Sequence, residues 1–234
     1  MRVISLNVGL PREVTWHHMN VSTGIFKQPV DGRIALRRLN LDGDRQADLT
    51  VHGGKDKAVY CYPLEHYEYW KKQLPGHELP LGVFGENFTL DFGGEGFNSA
   101  RNDAVLREQT IHIGDRFSVG TAEVVVTQPR LPCYKLGIRF QMDDMVKRFL
   151  VSRRSGFYLA VTREGEVGAG DEMKPLAQDP HAVPVSAIPE LYIAKQYSDD
   201  HLQMLQRALQ VTALPESWKE YFRERLQMTN AVRG

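Results

Sequence analysis

Apolar and polar positions alternate in short runs along most of this chain, and the period changes near residue 177. Residues 3–8, 34–39, 58–62, 122–127 and 157–162 are apolar or alternate with period two, the pattern of strands with one or both faces buried. Gly85-Glu-Asn-Phe-Thr-Leu90 reads as a glycine turn entering another strand, and a short last strand ends at Leu176 after the Gly170-Asp171 turn. Ile111 and Ile113, then Phe117 and Val119, read as a hairpin turning at Gly114-Asp115; residues 157–162 and 166–167 read as a second, turning at Arg163-Glu-Gly165. Two segments carry helical spacing instead. Residues 64–74 place Leu64, Tyr67, Trp70 and Leu74 on one face, between Pro63 and the Pro75-Gly76 stop, and 142–152 place Met142, Met145, Val146 and Phe149 on another. Residues 14–19 have no decisive period, and glycine-rich 92–102 reads as loop.

Beyond Leu176 the composition shifts. Gln178-Asp-Pro and residues 184–189 read as a linker, followed by helical patterns over 189–197, 199–209 and 216–228. Ser198 followed by Asp199 and Asp200 is a strong helix start. The prediction is therefore a mainly β fold over residues 1–176, mostly antiparallel. Its short, turn-punctuated strands favour a barrel or closed sandwich. A linker and small all-α appendage over 177–234 complete the chain.

Charge narrows the partners. Lys+Arg and Asp+Glu both number 29, so no bulk basic field exists to attract nucleic acid or an anionic membrane. No run approaches the roughly 18 apolar residues of a membrane span. The N-terminus reads as a first strand rather than a signal peptide. Two cysteines, Cys61 and Cys133, are too few for a disulfide framework and suit a reducing compartment, so a cytoplasmic location is the expectation. Oligomeric state is left open.

The stretch with chemistry in it is Gln128-Pro-Arg-Leu-Pro-Cys-Tyr-Lys135. Pro129 and Pro132 stiffen the backbone entering Cys133. A helix starting at Pro132 would put Cys133 in its first turn, facing unpaired N–H groups, with Arg130 and Lys135 near. These conditions favour a thiolate, usable as nucleophile or metal ligand; a small buried hydrophobe is the alternative. A second stretch, Val51-His-Gly-Gly-Lys-Asp-Lys57, has the glycines for a close backbone approach and lysines for an anion, but not the spacing of a P-loop. Cys61 reads as an inert core residue. Zinc hydrolysis through His17, His18 and His52 lacks any metal-ligand spacing.

Seven segments in order carry a resemblance: Thr23-Gly-Ile-Phe-Lys-Gln-Pro-Val30, Leu41-Asp-Gly-Asp44, Val51-His-Gly-Gly54, Tyr62-Pro-Leu-Glu-His-Tyr67, Phe84-Gly-Glu-Asn87, Ile113-Gly-Asp115 and Gln128-Pro-Arg-Leu-Pro-Cys133. Together they resemble the MOSC domain family, the domain shared with the C-terminal part of molybdenum cofactor sulfurase, in the subgroup that adds a three-helix domain. The resemblance implies a MOSC-type β-barrel and a molybdenum cofactor (molybdopterin) site. Cys133 would ligate molybdenum or carry sulfur. Lys27, Lys57 and Arg130, with the His52-Gly53-Gly54 backbone, would hold the anionic cofactor, and Asn87 and Gln128 would hydrogen-bond its pterin. It implies reduction of N-hydroxylated compounds such as 6-N-hydroxylaminopurine. Electrons would come from a separate flavoprotein reductase, since the chain has no dinucleotide fingerprint or cysteine cluster of its own. The helical tail is a candidate docking surface for that donor. The same residues leave open a sulfur carrier using a Cys133 persulfide and a non-enzymatic module for an anionic ligand.

Overall fold

The computed structural model of the chain describes residues 1–47, 53–93 and 106–233. Val51, His52 and residues 94–102 of the glycine-rich loop lie outside them.

Twelve strands appear among the described residues: β1 (Arg2–Val8), β2 (Arg12–Trp16), β3 (Met19–Thr23), β4 (Gln28–Val30), β5 (Arg33–Leu36), β6 (Val59–Pro63), β7 (Phe88–Asp91), β8 (Arg116–Val119), β9 (Ala122–Pro129), β10 (Phe157–Arg163), β11 (Gly165–Gly168) and β12 (Met173–Ala177). Six helices accompany them: α1 (Glu65–Gln73), α2 (Tyr134–Phe140), α3 (Met145–Ser152), α4 (Ala187–Ile193), α5 (Asp199–Gln210) and α6 (Glu216–Arg233). Eight strands form one sheet in the order β12-β8-β9-β10-β6-β7-β1-β4. Every pairing in it is antiparallel except β6 with β7, whose parallel register needs the crossover that α1 provides. All five residues of β6 are buried, as suits a central strand covered on both faces.

The sheet does not close by a continuous ladder, so the expected barrel is open between β12 and β4. One antiparallel bridge, Arg2 to Glu172, ties the first strand to the chain entering β12, with the Val3 N–H donating to Asp171 O at 2.9 Å and the Met173 N–H to Met1 O at 2.9 Å.

Both expected hairpins are different. β8 pairs with β9 across Gly120-Thr121, while residues 111–113 form no strand; Asp115 instead turns the chain, its carboxylate accepting the His112 N–H at 3.0 Å. β11 leaves β10 and pairs with β5. Local alternation cannot distinguish these partners, because register is fixed by which face must be buried. The undecided segment 14–19 is the β2–β3 hairpin, with His17 and His18 as its two-residue loop at φ 48° and 64°. Those residues are spent on a turn, and His17 Nε2 meets Asp143 Oδ1 at 2.7 Å. No three metal-ligating side chains cluster among the described residues, and His52, the third histidine of the zinc reading, lies outside them.

The apolar core has two parts. One runs from the inner faces of the strands (Val3, Leu6, Phe88, Val124, Phe157) straight into the helical tail (Ile188, Leu191, Leu205, Trp218, Phe222). The other is aromatic, with Tyr60, Tyr62, Tyr67, Trp70, Phe84, Phe140 and Phe149 packed under α1, α2 and α3. Trp70 donates its indole N–H to the Tyr62 hydroxyl at 2.7 Å, satisfying a polar atom that burial would otherwise strand. At the tail, Ser198 caps α5 as expected: its hydroxyl accepts the His201 N–H at 3.2 Å, and the His201 ring accepts the Ser198 N–H in return. Among the described residues no helix is long and apolar enough to cross a membrane.

Candidate functional site

A pocket opens beside the aromatic core where five segments meet: the chain leaving β3, residues 45–47, the glycine turn before β6, the turn before β7 and the loop leaving β9. Its empty space, counting the mouth open to solvent, is about 670 Å³.

β9 supplies the loop that carries the thiol. Its register against β10 slips between Tyr158 and Leu159, and the Thr127 hydroxyl at the slip donates to Asp56 O at 2.6 Å. Such an irregularity re-aims the strand end, a common device beside functional sites. The chain then leaves the sheet at Arg130, exposes Leu131, and enters α2 two residues later than expected. Cys133 is the N-cap, extended at φ −117° and ψ 174°, rather than a first-turn residue. Its carbonyl accepts the Leu136 N–H at 2.9 Å. The Cys133 side chain is half-buried in the pocket wall. Cys61 is fully buried in β6, and burial pushes its thiol well up, as an inert core cysteine requires.

Arg130 is buried beneath the pocket. Its guanidinium donates to Phe84 O at 2.6 Å and lies over the rings of Tyr60 (4.7 Å to centroid) and Phe149 (5.4 Å). Among the described residues no carboxylate forms a salt bridge with it. Burial opposes its charge, but the Tyr60 and Tyr158 oxygens and the Cys133 sulfur outweigh that and hold its pKa above the ordinary value. Both tyrosines are pushed the opposite way to ionisation: burial raises Tyr60 well up and raises Tyr158, so both stay protonated phenols.

Lys27 is buried and paired with Asp44, whose carboxylate also accepts the Gly9 N–H and the Asn87 side-chain N–H, each at 2.9 Å. Burial lowers the Lys27 pKa even though Asp44 opposes the shift. Asn87 forms part of the wall with its amide already committed: Oδ1 accepts the Tyr60 N–H at 3.1 Å, and Nδ2 donates to Asn7 O at 3.2 Å as well as to Asp44. Lys57 lines the pocket at the end of a one-turn 3-10 helix, Lys55–Lys57, and burial lowers its pKa against the opposing Asp56 charge. Gly53 lines the pocket at φ 84°; Gly54, at φ 82°, starts the 3-10 turn without lining the cavity.

Of the residues singled out in the sequence, the structure brings Cys133, Lys27, Lys57, Asn87, Arg130 and Gly53 to one pocket. Gln128 lies outside it, its amide bonded to Asp56 and Trp218. His52 is outside the described residues. Sequence reasoning missed Arg45, Tyr60 and Tyr158 in the lining, and noted Lys135 only as nearby charge. Strand tyrosines look like core residues until topology turns them inward, whereas Arg45 directly follows the Leu41-Asp-Gly-Asp44 segment and could have been found there. Five basic side chains (Lys27, Arg45, Lys57, Arg130 and Lys135) line the pocket, and no Asp or Glu does among the described residues. In a chain of zero net charge that segregation leaves the pocket lining basic, with Lys27 already paired to Asp44 behind it.

Comparison with known proteins identifies the family. The model of the MOSC domain matches residues 48–174, and that of the YiiM-like, 3-alpha helix domain matches residues 199–228. The Bacillus subtilis protein YflK is 37% identical over 221 residues, which are 94% of this chain and 92% of YflK. The crystal structure of YiiM from Geobacillus stearothermophilus superposes with a TM-score of 0.73 at 30% identity, covering 96% of this chain and 98% of that one. A Gibberella moniliformis protein named reductase is 28% identical over 154 residues, 64% of this chain but 25% of that longer protein. With a basic pocket around a loop cysteine, these matches make the chain a member of the MOSC domain family with a YiiM-like three-helix domain.

Proposed function

We propose that this protein is a molybdenum-cofactor-dependent reductase of N-hydroxylated compounds, 6-N-hydroxylaminopurine among them, with the cofactor held through Cys133. The observation that supports this is the pocket lining: a cysteine set among five basic side chains, one of them a buried arginine with no salt bridge, and no lining carboxylate among the described residues. A dithiolene cofactor ending in phosphate is anionic and sulfur-rich, and this donor set fits it. Bound there, the cofactor would supply the two-electron chemistry that reduces an N–O bond.

The chain's own residues have separable tasks. Cys133 would offer its sulfur as ligand from the stiff Leu131-Pro132 segment, which limits its reorientation. Arg130, kept charged, and Lys57 would neutralise the cofactor's anionic groups. Tyr158 retains its hydroxyl proton and can donate a hydrogen bond to a substrate oxygen. The ring faces of Tyr60 and Tyr158, with centroids 5.2 Å apart, give the wall an apolar side against which a planar base can pack. Electrons would come from a separate flavoprotein reductase. The Gibberella relative, whose name is reductase and of which this chain matches a quarter, is long enough to carry more than this domain.

The test is molybdenum per chain and turnover of 6-N-hydroxylaminopurine, for wild type and Cys133→Ala from cofactor-competent cells. Close to one metal per wild-type chain, lost in the variant together with turnover, supports the reading. No metal or pterin in either, while a known molybdoenzyme loads in the same cells, ends it. A sulfur carrier is the second reading, favoured by the half-buried Cys133 beside exposed Leu131 and Tyr134, where an acceptor protein could reach it. Its mark is a reductant-sensitive gain of one sulfur in the intact mass, absent from Cys133→Ala.

A further inference from the structure

Gln128 sits two residues before Arg130 in β9 and is buried, yet it does not face the pocket. Its side chain spans two elements far apart in sequence. Trp218 of α6 donates its indole N–H to Gln128 Oε1 at 2.9 Å, and Gln128 Nε2 reaches the Asp56 carbonyl at 3.3 Å. The neighbouring Thr127 hydroxyl donates to the same carbonyl at 2.6 Å. The chemistry fixes the orientation of the amide. An indole can only donate and a backbone carbonyl can only accept, so the oxygen must face Trp218 and the nitrogen Asp56. No apolar side chain of that size, and no carboxylate, serves both partners.

Asp56 lies in the one-turn 3-10 helix that ends at Lys57. That turn rests on two consecutive positive-φ glycines, and a backbone bond closes it from the Lys57 N–H to Gly54 O at 3.0 Å. A single 3-10 turn has little stability of its own. Two side chains of β9 therefore hold the segment that presents Gly53 and Lys57 to the pocket, and the longer of them is anchored by the last helix of the tail. Trp218 is itself locked, stacked on Phe222 at 5.6 Å and edge-on to Tyr192 at 5.6 Å.

We propose that Trp218 and Gln128 are positioning residues of the pocket: the three-helix tail fixes the Gly53–Lys57 wall through this one amide. This gives the tail a role in shaping the site, separate from any docking of an electron donor, and it holds whatever anion the pocket takes.

The test uses the full-length protein without added ligand and compares Trp218→Phe, Gln128→Met, the double variant and Tyr221→Phe. Trp218→Phe keeps an aromatic ring and removes the N–H. Tyr221→Phe is the control, because it keeps the ring that meets Trp218 and removes only a tail hydrogen bond, Tyr221 to Tyr192 O. Amide exchange is followed for peptides covering residues 53–60 and for α6, together with affinity for inorganic pyrophosphate. The expected result is exchange in 53–60 faster by roughly tenfold in either single variant, the loss of about one buried hydrogen bond. Pyrophosphate affinity should fall in the same two variants, and the double variant should be no worse than Gln128→Met alone. Tyr221→Phe should leave 53–60 unchanged. Unchanged exchange in 53–60 for Trp218→Phe, equal loosening in Tyr221→Phe, or additive effects in the double variant would each overturn the proposal. None of these readouts requires molybdenum, so the outcome is independent of the cofactor assignment.

Discussion

The Arg130 guanidinium lies 4.7 Å from the centre of the Tyr60 ring, on the floor of the pocket, and its cation is balanced by π-faces and a backbone carbonyl rather than by a carboxylate. Buried cations ordinarily carry an anion with them. Arg130→Met should therefore weaken inorganic pyrophosphate binding by about 10- to 100-fold, the effect of losing a charged hydrogen-bond donor. The melting temperature should fall as well, because the fold stabilises this charge and the buried Phe84 carbonyl loses its donor. Calorimetric titration with thermal melts on the same samples checks both.

Lys27 and Asp44 are the opposite case, a buried pair in which each needs the other. Asp44→Asn leaves the lysine without its anion, and the expected loss is about 3–5 kcal/mol at neutral pH. The pH dependence has a definite sign. The folded-state pKa of Lys27 is already below its ordinary value, because of burial. The folded protein thus binds fewer protons there than the unfolded chain, and the stability from this group rises with pH from the folded pKa up to the ordinary lysine value. Asp44→Asn removes the opposing contribution and should widen that window downward. Urea unfolding of the variant at pH 6.5 and pH 9 should show it recovering stability at the higher pH; a flat profile counts against the account.

Glu108 anchors α1 to the start of β10. It accepts from His66 Nε2 at 2.8 Å and from the Gly156 N–H at 2.7 Å. Burial alone would raise its pKa, but His66 and the Gly156 N–H outweigh it and the net shift is downward. Stability from a depressed carboxylate is fully present above the unfolded-state pKa and is lost as pH falls through the folded-state value. Wild type should lose stability steeply below about pH 4.3, the ordinary glutamate value, and Glu108→Gln should start lower but fall less. Denaturant midpoints from pH 7 to pH 3 decide it.

The β2–β3 turn offers a stabilising change. His17 and His18 adopt positive φ, at 48° and 64°, where Asn-Gly is the preferred pair. Replacing both by Asn-Gly relieves left-handed strain and should add about 1 kcal/mol, read as a higher melting temperature. Added zinc should not shift the melt of either protein.

Truncation after Ala177 should not leave a folded sheet domain. Val124 and Phe157 share one apolar cluster with Ile188, Leu205 and Phe222, so removing the tail uncovers the inner side of the sheet. Aggregation, or loss of a cooperative melt, is the expected result on size-exclusion chromatography and thermal scanning.

What the sequence made legible was what depends on neighbours along the chain. Strand 2–8, the stop at Pro75-Gly76, the α5 start at Ser198 and the loop to Cys133 all follow from local periods and caps. Partner choice did not. Gly165–Gly168 alternates like the return arm of a hairpin, yet it pairs with β5, about 130 residues earlier, because Val167 must enter the core. At the site, the basic residues were visible as types, but not the segregation that leaves the lining without a carboxylate. Gln128 shows the limit most plainly. Its place at the head of the Gln128-Pro-Arg-Leu-Pro-Cys133 motif suggested a ligand contact, and only the arrival of Trp218, 90 positions later, shows where its amide goes.

That late arrival sets an order of events during synthesis. Pocket residues from Thr23 to Tyr158 leave the ribosome well before Trp218, and β1 meanwhile awaits partners as distant as Phe88 and Glu172. A nascent chain can thus display the thiol and the basic side chains while the wall at Gly53 and Lys57 still lacks its buttress. A cofactor or metabolite met at that moment would find no formed site, because the sheet still lacks the tail that covers its inner side. Loading is expected to follow completion of the helical tail, so any insertion factor should recognise the finished protein rather than the emerging chain.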